Sequence, residues 1–358
     1  MKHPFKIITI TLAALVMLAY ATHAYGQSHD VPSVVTVSLP GGGIVHIQIN
    51  NYENPSKNDG NKTLFAVHGL AHTGATFELL ANEVFKKTGS DKIDRVLALN
   101  FPGRNGSGLP SNLLFGDLTV EDYTAVLIGV LDQLAKQVNI ESIVGHSMGG
   151  LIVQTAQNSL RSAGTSLQKE YGIKNVYLLA PSIPKPLPWK FVESGAFSDI
   201  LAILISFDPS LGLHLRLLSN DPAEQAGLLR IWLTFFFTNS LGEFVAGTPF
   251  TTALKSNYVS NEALNMTLQL SGSNPFARPS VNRGIFNDSV QKCFRIVTFS
   301  EDLAVPGENL LQEYQDLDNF LTGNAQSANV VLIDAPDAVH DMLIANPTEV
   351  AKAITSCK

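Results

Sequence analysis

The sequence predicts an α/β fold with a mostly parallel central sheet that helices cover on both faces. Short segments that are apolar at nearly every position, such as 63–67 and 95–99, alternate along the chain with longer segments of amphipathic helical periodicity. Strands without a polar side belong to sheets that are buried on both faces, and parallel strands joined by helices build such sheets. The alternation stops at residue 181 and resumes at residue 294, which predicts an insertion within the sheet.

The predicted elements run from a hairpin to a C-terminal helix. Residues 34–39 and 44–50 are strand-like and are joined by Pro40 and three glycines, which predicts an antiparallel pair. The further predicted strands are 63–67, 95–99, 140–144, 175–180, 294–299 and 329–333. The predicted helices are 75–87, 120–138, 150–162, one between the last two strands, and 347–356, and Thr119 is the expected N-cap of the second.

The amino-acid composition of the chain limits the classes of function that we expect. The chain has 358 residues, a formal net charge of −7 and 15% charged residues, without a cluster of basic side chains. Nucleic-acid binding therefore has no electrostatic support. Because the sequence has no nucleotide-binding glycine pattern, no H-E-x-x-H and no cysteine–histidine spacing, we expect neither a cofactor nor a metal. His68, His72 and His146 could converge in space, and we interpret this as chance clustering of loop histidines.

Residues 1–26 have the pattern of an export signal. Lys2 and Lys6 make the start of the segment positively charged. An apolar stretch follows at 7–20, and small-residue cleavage sites follow at 22–26. The apolar stretch is shorter than the roughly 20 residues that a membrane-spanning helix needs, so an uncleaved anchor is the weaker alternative. We expect an exported protein, secreted or periplasmic, without stable membrane insertion after signal cleavage.

The segment GHSMG at residues 145–149 lies between an apolar strand and a helix-like run. In that position the pattern G-x-S-x-G is a nucleophile elbow. The serine sits on a sharp turn, and only small residues fit two positions before and after it. The helix that follows directs its free N–H groups and its positive dipole end at a site of developing negative charge. Ser147 is therefore the candidate nucleophile, and the alternative is a serine that only caps the helix.

Two further loops match a known family. Strand 63–67 runs into HGLAHTG at 68–74, and strand 95–99 runs into NFPGRNGSG at 100–108. With the elbow, and in the same chain order, these segments resemble the oxyanion loop and the D-x-P-G-x-G-x-S loop of the α/β-hydrolase family. Asn100 stands where that family has an acid, and the spacing after Gly103 is altered, in a loop whose role is mainly structural. The resemblance extends from about residue 34 to the end of the chain.

The resemblance implies a serine, an acid and a histidine in that chain order. His340 follows the last predicted strand and fits the base that activates Ser147. The segment SEDLAVP at 300–306 resembles the family's G-x-x-D-x-x-V-P segment and puts Asp302 in the position of the acid that orients His340. The alternatives for the acid are Glu301, then Asp334 and Asp337.

Two backbone N–H groups are implied as oxyanion donors. Met148 follows the nucleophile, and Leu70 follows the histidine–glycine pair of the first loop. Ala71 replaces Leu70 if the loop is registered one residue later. The side chains of His68 and His146 are expected to pack or to form hydrogen bonds.

Residues 183–291 lie where this family commonly inserts a helical cap, here after the sixth strand. The implied organisation is a signal peptide (1–26), a first part of the core (27–182), the cap (183–291) and a second part of the core (292–358). The cap contains an apolar run with Leu228, Trp232, Phe235 and Phe236. These side chains line an apolar substrate pocket, or they form the cap's own core and its seat on the main domain, or both. A hydrophobic ester is the expected substrate in each case.

The two cysteines of the chain are Cys293 and Cys357. The helix after the last strand returns toward the amino ends of the strands, and Cys293 precedes its own strand at that edge. A disulfide between them is therefore predicted in an exported protein, with two free buried cysteines as the alternative.

The resemblance implies a serine hydrolase that acts on a carboxylic ester. Lactonases, thioesterases, amidases and C–C hydrolases of this family have similar triads, because specificity lies in the cap. Members that hydrolyse epoxides or haloalkanes carry an aspartate at the position of Ser147. The opposing class is a non-catalytic protein of the same fold that binds an apolar ligand.

Overall fold

The computed structural model describes residues 31–55, 62–69, 72–86, 93–110, 118–181, 293–300, 302, 330–335 and 337–355. The strands in these ranges are β1 (Val34–Ser38), β2 (Ile44–Glu53), β3 (Thr63–Val67), β4 (Arg95–Leu99), β5 (Ile140–His146), β6 (Asn175–Leu179), β7 (Cys293–Phe299) and β8 (Val330–Ile333). A 3₁₀ helix spans Gly74–Phe77, and the α-helices are α1 (Glu78–Phe85), α2 (Val120–Leu134), α3 (Met148–Ser162), α4 (Leu167–Tyr171), α5 (Met342–Ala345) and α6 (Pro347–Thr355). No helix in the described ranges is long and apolar enough to cross a membrane.

The described strands form one eight-stranded sheet in the order β1-β2-β4-β3-β5-β6-β7-β8. β2 pairs antiparallel with both β1 and β4, and every other neighbouring pair is parallel. The mostly parallel sheet and the N-terminal hairpin are thus confirmed. β3 is buried at all five of its positions, which explains why its sequence has no polar side.

The path of the chain places helices on both faces of the sheet. From β3 the chain passes through α1 to β4, and from β4 it passes through α2 back to β5 on the other side of β3. Such crossovers are right-handed, and because these two run in opposite directions along the sheet, α1 and α2 lie on opposite faces. The contacts agree with this arrangement, since α6 packs on α1 and α3 packs on α2.

The reversal of direction positions the functional site. The loops that leave the carboxyl ends of β3 and β5 turn toward opposite faces, which opens a crevice between two adjacent strands. The elbow follows β5, and the predicted oxyanion loop follows β3. The segments after β7 and β8 carry Asp302 and His340 at the same edge.

Several predicted helix ends differ from those in the structure. The predicted helix 75–87 is a 3₁₀ turn followed by α1, and the predicted helix 120–138 ends at Leu134. α3 begins at Met148 rather than at residue 150, directly after the elbow serine. Thr119 is confirmed as an N-cap, in a reciprocal capping box with Asp122. The short helices α4 and α5 had no periodicity long enough to predict them.

Some predictions concern residues outside the described ranges. These are the export signal, the helix before β8 and the cap at 183–291 with its apolar run. The domain boundaries and the place of the cap between β6 and β7 therefore stay predictions.

Candidate active site

The elbow at the end of β5 holds Ser147 in a strained conformation. Its backbone angles are φ 52° and ψ −120°, a region that residues with a side chain rarely adopt. A methyl group added to Gly145 would lie 2.6 Å from the carbonyl oxygen of Gly149, and one added to Gly149 would collide with the carbonyl oxygen of Val67. The two glycines are therefore required by the close approach of β3, β5 and α3.

The Ser147 side chain points at a histidine rather than at its own helix. Ser147 is the N-cap residue of α3, but its side chain makes no capping hydrogen bond. Its Oγ lies 2.9 Å from Nε2 of His340. The capping role, which was the alternative reason for a serine here, does not describe this side chain.

His340 is held on its other ring nitrogen by Asp302. Nδ1 of His340 lies 2.8 Å from Oδ2 of Asp302, and both side chains are buried. A carboxylate can only accept, so Nδ1 carries the proton, and in the neutral ring Nε2 is left as an acceptor for the Ser147 hydroxyl. The structure thus brings Ser147, His340 and Asp302 into one hydrogen-bonded chain.

The other candidate acids lie elsewhere. Asp334 is exposed, and Oδ2 of Asp337 accepts a hydrogen bond of 2.9 Å from the amide of Asn346. Glu301 lies outside the described residues. Among the described carboxylates, Asp302 is the one that contacts Nδ1 of His340.

The surroundings of His340 favour its charged form on balance. Burial acts against the charged imidazole and lowers the pKa. The charge of Asp302, the hydrogen bond to it and the charge of Asp341 act in the opposite direction, and the pKa of His340 is raised above its ordinary value. The arrangement can therefore accept a proton from Ser147 and hold it as an imidazolium.

One predicted oxyanion donor lies in the described chain. Met148 is the first residue of α3, so its N–H has no acceptor within the helix, and it directly follows Ser147. Leu70, the other predicted donor, and its alternative Ala71 fall outside the described residues. The apolar candidates Leu228, Trp232, Phe235 and Phe236 do so as well.

His68 ties the loops after β3 and β4 together. Its Nδ1–H donates to the carbonyl oxygen of Gly69 at 2.7 Å, and its Nε2 accepts from the N–H of Phe101 at 3.2 Å. Burial lowers the pKa of His68 to about 3, so the ring is neutral and has one donor and one acceptor. This is the structural role expected from the sequence.

His146 links the elbow to the segment that carries His340. Its Nε2–H donates to the backbone carbonyl oxygen of His340 at 2.9 Å. Burial, together with the charge of His340, lowers the pKa of His146 to about 3. The neutral imidazole therefore acts as a fixed hydrogen-bond donor behind the site.

A group with metal-ligand chemistry lies in the same region. His72, His146 and Asp341 offer ligand atoms within 4.8 Å of one another. The rings of His72 and His146 are stacked, with centroids 5.6 Å apart and planes inclined by 26°. Imidazole binds a metal along a lone pair in the ring plane, but Nε2 of His72 already lies 3.1 Å from Oδ2 of Asp341, within hydrogen-bond distance. We interpret the group as a hydrogen-bonded His72–Asp341 pair on which the ring of His146 stacks.

This cluster differs from the convergence considered at the level of sequence. His72 and His146 do meet, but His68 turns toward Phe101 and Asp341 takes its place. Asp341 was not predicted to have a role. The available signal was its position beside His340, which does not reveal a partner far away in sequence.

Comparisons with known proteins agree with this fold. The model of the alpha/beta hydrolase family matches residues 64–353. A bromoperoxidase from Bacillus anthracis has a similar structure, with a TM-score of 0.59, 16% identity, and coverage of 90% of this chain and 98% of that chain. An esterase from Exiguobacterium antarcticum gives a TM-score of 0.53 and 15% identity, and covers 90% of this chain and 98% of that chain.

A third structure, a thermophilic esterase from Thermogutta terrifontis, gives a TM-score of 0.55 and 13% identity over 90% of this chain and 97% of that chain. At such identities these likenesses show the fold alone. No match was found among curated proteins. Because the family model spans most of the chain, from β3 to α6, the chain belongs to the alpha/beta hydrolase family.

Proposed function

We propose that this protein is an exported serine hydrolase that cleaves the carboxylic ester of a hydrophobic substrate. The observation that carries the proposal is the buried chain from Ser147 Oγ to His340 Nε2, at 2.9 Å, and from His340 Nδ1 to Asp302, at 2.8 Å. A serine hydroxyl becomes a nucleophile when a base within hydrogen-bond distance can take its proton. The strained elbow directs that hydroxyl into the crevice.

The proposed mechanism has two half-reactions. His340 takes the hydroxyl proton as Ser147 Oγ attacks the ester carbonyl carbon, and the carbonyl oxygen becomes an oxyanion that accepts from the N–H groups of Met148 and Leu70. His340 then gives its proton to the leaving alcohol as the C–O bond breaks, which leaves an acyl group on Ser147. A water molecule, deprotonated by His340, then attacks the acyl carbonyl carbon. The bond to Ser147 Oγ breaks, His340 returns the proton to Oγ, and the acid is released. Asp302 keeps His340 in the required tautomer throughout.

The substrate class rests on the predicted cap. Its apolar run, with Leu228, Trp232, Phe235 and Phe236, favours a hydrophobic acyl group over a sugar ester or a charged substrate. Of the three similar solved structures described above, two are named esterases and one is named a bromoperoxidase. The fold therefore supports a hydrolase, and the choice of an ester depends on the site and the cap.

Export is proposed from residues 1–26 and agrees with the predicted disulfide, since such bonds persist in oxidising compartments. The proposed partner is a small hydrophobic ester, and no nucleic acid or cofactor is part of the proposal. N-terminal sequencing of the protein recovered from outside the cytoplasm tests the export step, and an intact start at Met1 would contradict it.

Labelling with a fluorophosphonate and turnover of p-nitrophenyl esters test the activity. We expect the wild-type protein to be labelled once and to hydrolyse the esters, and Ser147→Ala to lose labelling and at least about 10³-fold of kcat. Ser159→Ala, on the exposed side of α3, is the matched control and should keep both. A folded wild-type protein that resists labelling would favour the apolar-ligand binding protein.

An acyl-chain series of these esters then separates the remaining classes. A preference for long chains would indicate a lipase-like enzyme. Labelling without ester turnover would contradict the ester and favour a lactone, thioester, amide or C–C substrate with the same three residues.

A further inference from the structure

A second histidine–carboxylate pair lies directly behind the triad. Asp341 follows His340 in the chain, and its Oδ2 lies 3.1 Å from Nε2 of His72. Both side chains are buried, Asp341 at 0% and His72 at 5% exposure. His72 belongs to the loop after β3, where its N–H donates to the carbonyl oxygen of Gly69 at 3.2 Å. The pair therefore joins the loop after β3 to the segment that carries His340.

The direction of the Asp341 side chain is unusual for its position. Asp341 is the N-cap residue of α5, where an aspartate ordinarily accepts from the first N–H groups of the helix. Its side chain makes no capping hydrogen bond. Its backbone carbonyl oxygen accepts hydrogen bonds from the backbone N–H groups of Ile344 and Ala345, at 2.9 Å each. The carboxylate is turned instead toward His72.

This carboxylate is negatively charged at neutral pH. Burial acts to raise the pKa of Asp341, but the charge of His72 and its hydrogen bond to the carboxylate lower that pKa below its ordinary value. A buried carboxylate without such partners would be costly. Asp341 therefore brings a second negative charge close to His340, in addition to that of Asp302.

His146 closes the cluster from the side of the elbow. Its ring stacks on that of His72 and is tilted against that of His340, with centroids 5.0 Å apart in the second pair. His340 is thus held at Nδ1 by Asp302 and at its carbonyl oxygen by His146. The titratable groups that influence it are Asp302 and Asp341, with His146 and His72 behind them.

We propose that His72 and Asp341 are positioning residues of the active site. Their hydrogen bond fixes the His340 segment against the loop after β3, and the Asp341 carboxylate stabilises the imidazolium that His340 becomes during turnover. The proposal rests on the proposed function of His340 as the base. It assigns to this pair a task that the triad alone does not perform, which is to hold the base and the oxyanion loop in one arrangement.

The charge of Asp341 has a consequence with a definite sign. His340 must be neutral to accept a proton, so kcat/KM rises with pH through the pKa of His340. Asp341 contributes to raising that pKa, so removing its charge moves the rise to lower pH. An asparagine in its place would keep the size of the side chain and an oxygen that accepts from Nε2–H of His72. Asp341→Asn therefore removes the charge while it keeps the hydrogen bond.

The pH dependence of kcat/KM is the first measurement, and an NMR titration of the His340 imidazole is the second. In Asp341→Asn we expect both midpoints to fall by about half a unit to one unit. Asp337→Asn is the matched control on the same segment. Its carboxylate pairs with Asn346 and does not influence His340, so both midpoints should stay at their wild-type values. Midpoints in Asp341→Asn that equal those of the wild type would overturn the electrostatic role.

Two variants of His72 test whether its hydrogen bond to Asp341 positions the His340 segment. They also keep the proposal testable if Asp341→Asn folds poorly. His72→Gln keeps an N–H near the position of Nε2, whereas His72→Leu keeps bulk without a donor. We expect kcat to fall by about tenfold or more in His72→Leu and by less than about threefold in His72→Gln, with KM little changed in both. Equal kcat values in the two variants would overturn the positioning role.

The NMR titration separates this proposal from the proposed function. It follows His340 without turnover, so it reports on the effect of Asp341 even if the wild-type protein hydrolyses no ester. An unchanged titration of Asp341→Asn in an active enzyme would overturn the electrostatic role of Asp341 and leave the hydrolase in place.

Discussion

The backbone conformation of Ser147 costs free energy, and the neighbouring segments hold the residue in that conformation. A non-glycine residue at φ 52° costs about 1–3 kcal/mol, and it persists only where the surrounding structure leaves no alternative. Here the residue before Ser147 belongs to β5 and the residue after it belongs to α3. The carbonyl oxygen of Val67, at the end of β3, lies close to Gly149 and leaves the turn no room to shift. Ser147, the proposed nucleophile, is therefore held in position before any substrate binds.

Asp302, the proposed acid of the triad, gives a prediction at the scale of a single residue. Replacing Asp302 by Asn offers an N–H to Nδ1 of His340 and favours the tautomer in which Nε2 carries the proton. That tautomer cannot accept from Ser147, so we expect kcat to fall by about 10⁴-fold, measured with a p-nitrophenyl ester.

Asp337→Asn and Asp334→Asn are the controls for this change, because their carboxylates do not contact His340. Both variants should keep near wild-type kcat. A large loss in either one, with Asp302→Asn still active, would move the role of the acid to that residue.

The order of the residues along the chain predicted which ones meet at the site, but it did not predict the contact between His72 and Asp341 next to them. Ser147, Asp302 and His340 each follow a strand at the same sheet edge, so their approach could be inferred from the sequence. The contact of His72 with Asp341 joins residues 269 positions apart and depends on side-chain directions within two loops. A single sequence contains no pattern for such directions, and Asp341 at a helix N-cap would have been expected to cap.

At the scale of an element, the loop after β4 explains why an asparagine stands where the family has an acid. Oδ1 of Asn100 accepts from the N–H of Gly74 at 2.8 Å. Its Nδ2 donates to the carbonyl oxygen of Gln48 and to Oδ1 of Asn50, both at 3.0 Å. A carboxylate could accept but could not donate, so the amide is required to join β2, β4 and the turn before α1.

Asn100→Asp therefore removes two hydrogen bonds and sets a charge against two oxygen atoms inside the fold. We expect the free energy of unfolding, measured by denaturant titration, to fall by about 1–3 kcal/mol. Asn139→Asp, the same change on an exposed residue before β5, should alter it by less than about 0.5 kcal/mol. Equal stability of Asn100→Asp and the wild type would contradict this account of the loop.

The helices show where prediction from periodicity ends. The start of α2 was correct because Thr119 and Asp122 form a capping box, which is a local signal. The end of α2 lacks such a signal, and the apolar pattern continued to residue 138 although the helix ends at Leu134. α3 begins two residues earlier than predicted because the elbow places Ser147 at its N-cap, and this depends on tertiary packing around the glycines.

For the whole molecule, the alternation of strands and helices predicted the type of sheet more fully than its order. Buried apolar strands separated by helices require parallel neighbours. The position of β4 between β2 and β3 depends on the direction in which each crossover runs, and neither periodicity nor the matched loops predicted that order. The same order places the start of β7 near the end of α6, because both lie at the amino edge of the sheet.

The predicted disulfide between Cys293 and Cys357 would fasten that edge. Cys293 begins β7, and Nη1 of Arg295 donates to the carbonyl oxygen of Ala353 at 2.6 Å, so the end of α6 lies beside the start of β7. Cys357 follows α6 by two residues and lies outside the described ranges. The neighbourhood of β7 and α6 supports the pairing.

Non-reducing peptide mapping of the purified protein should yield one pair of peptides joined through Cys293 and Cys357. Cys357→Ser should lower the free energy of unfolding by about 2–4 kcal/mol, because the bond restricts the unfolded chain. Wild-type protein treated with a reductant is the internal control and should unfold with the same free energy as Cys357→Ser. Alkylation of both thiols in unfolded, unreduced protein would contradict the bond and leave α6 held to the sheet by packing and by Arg295.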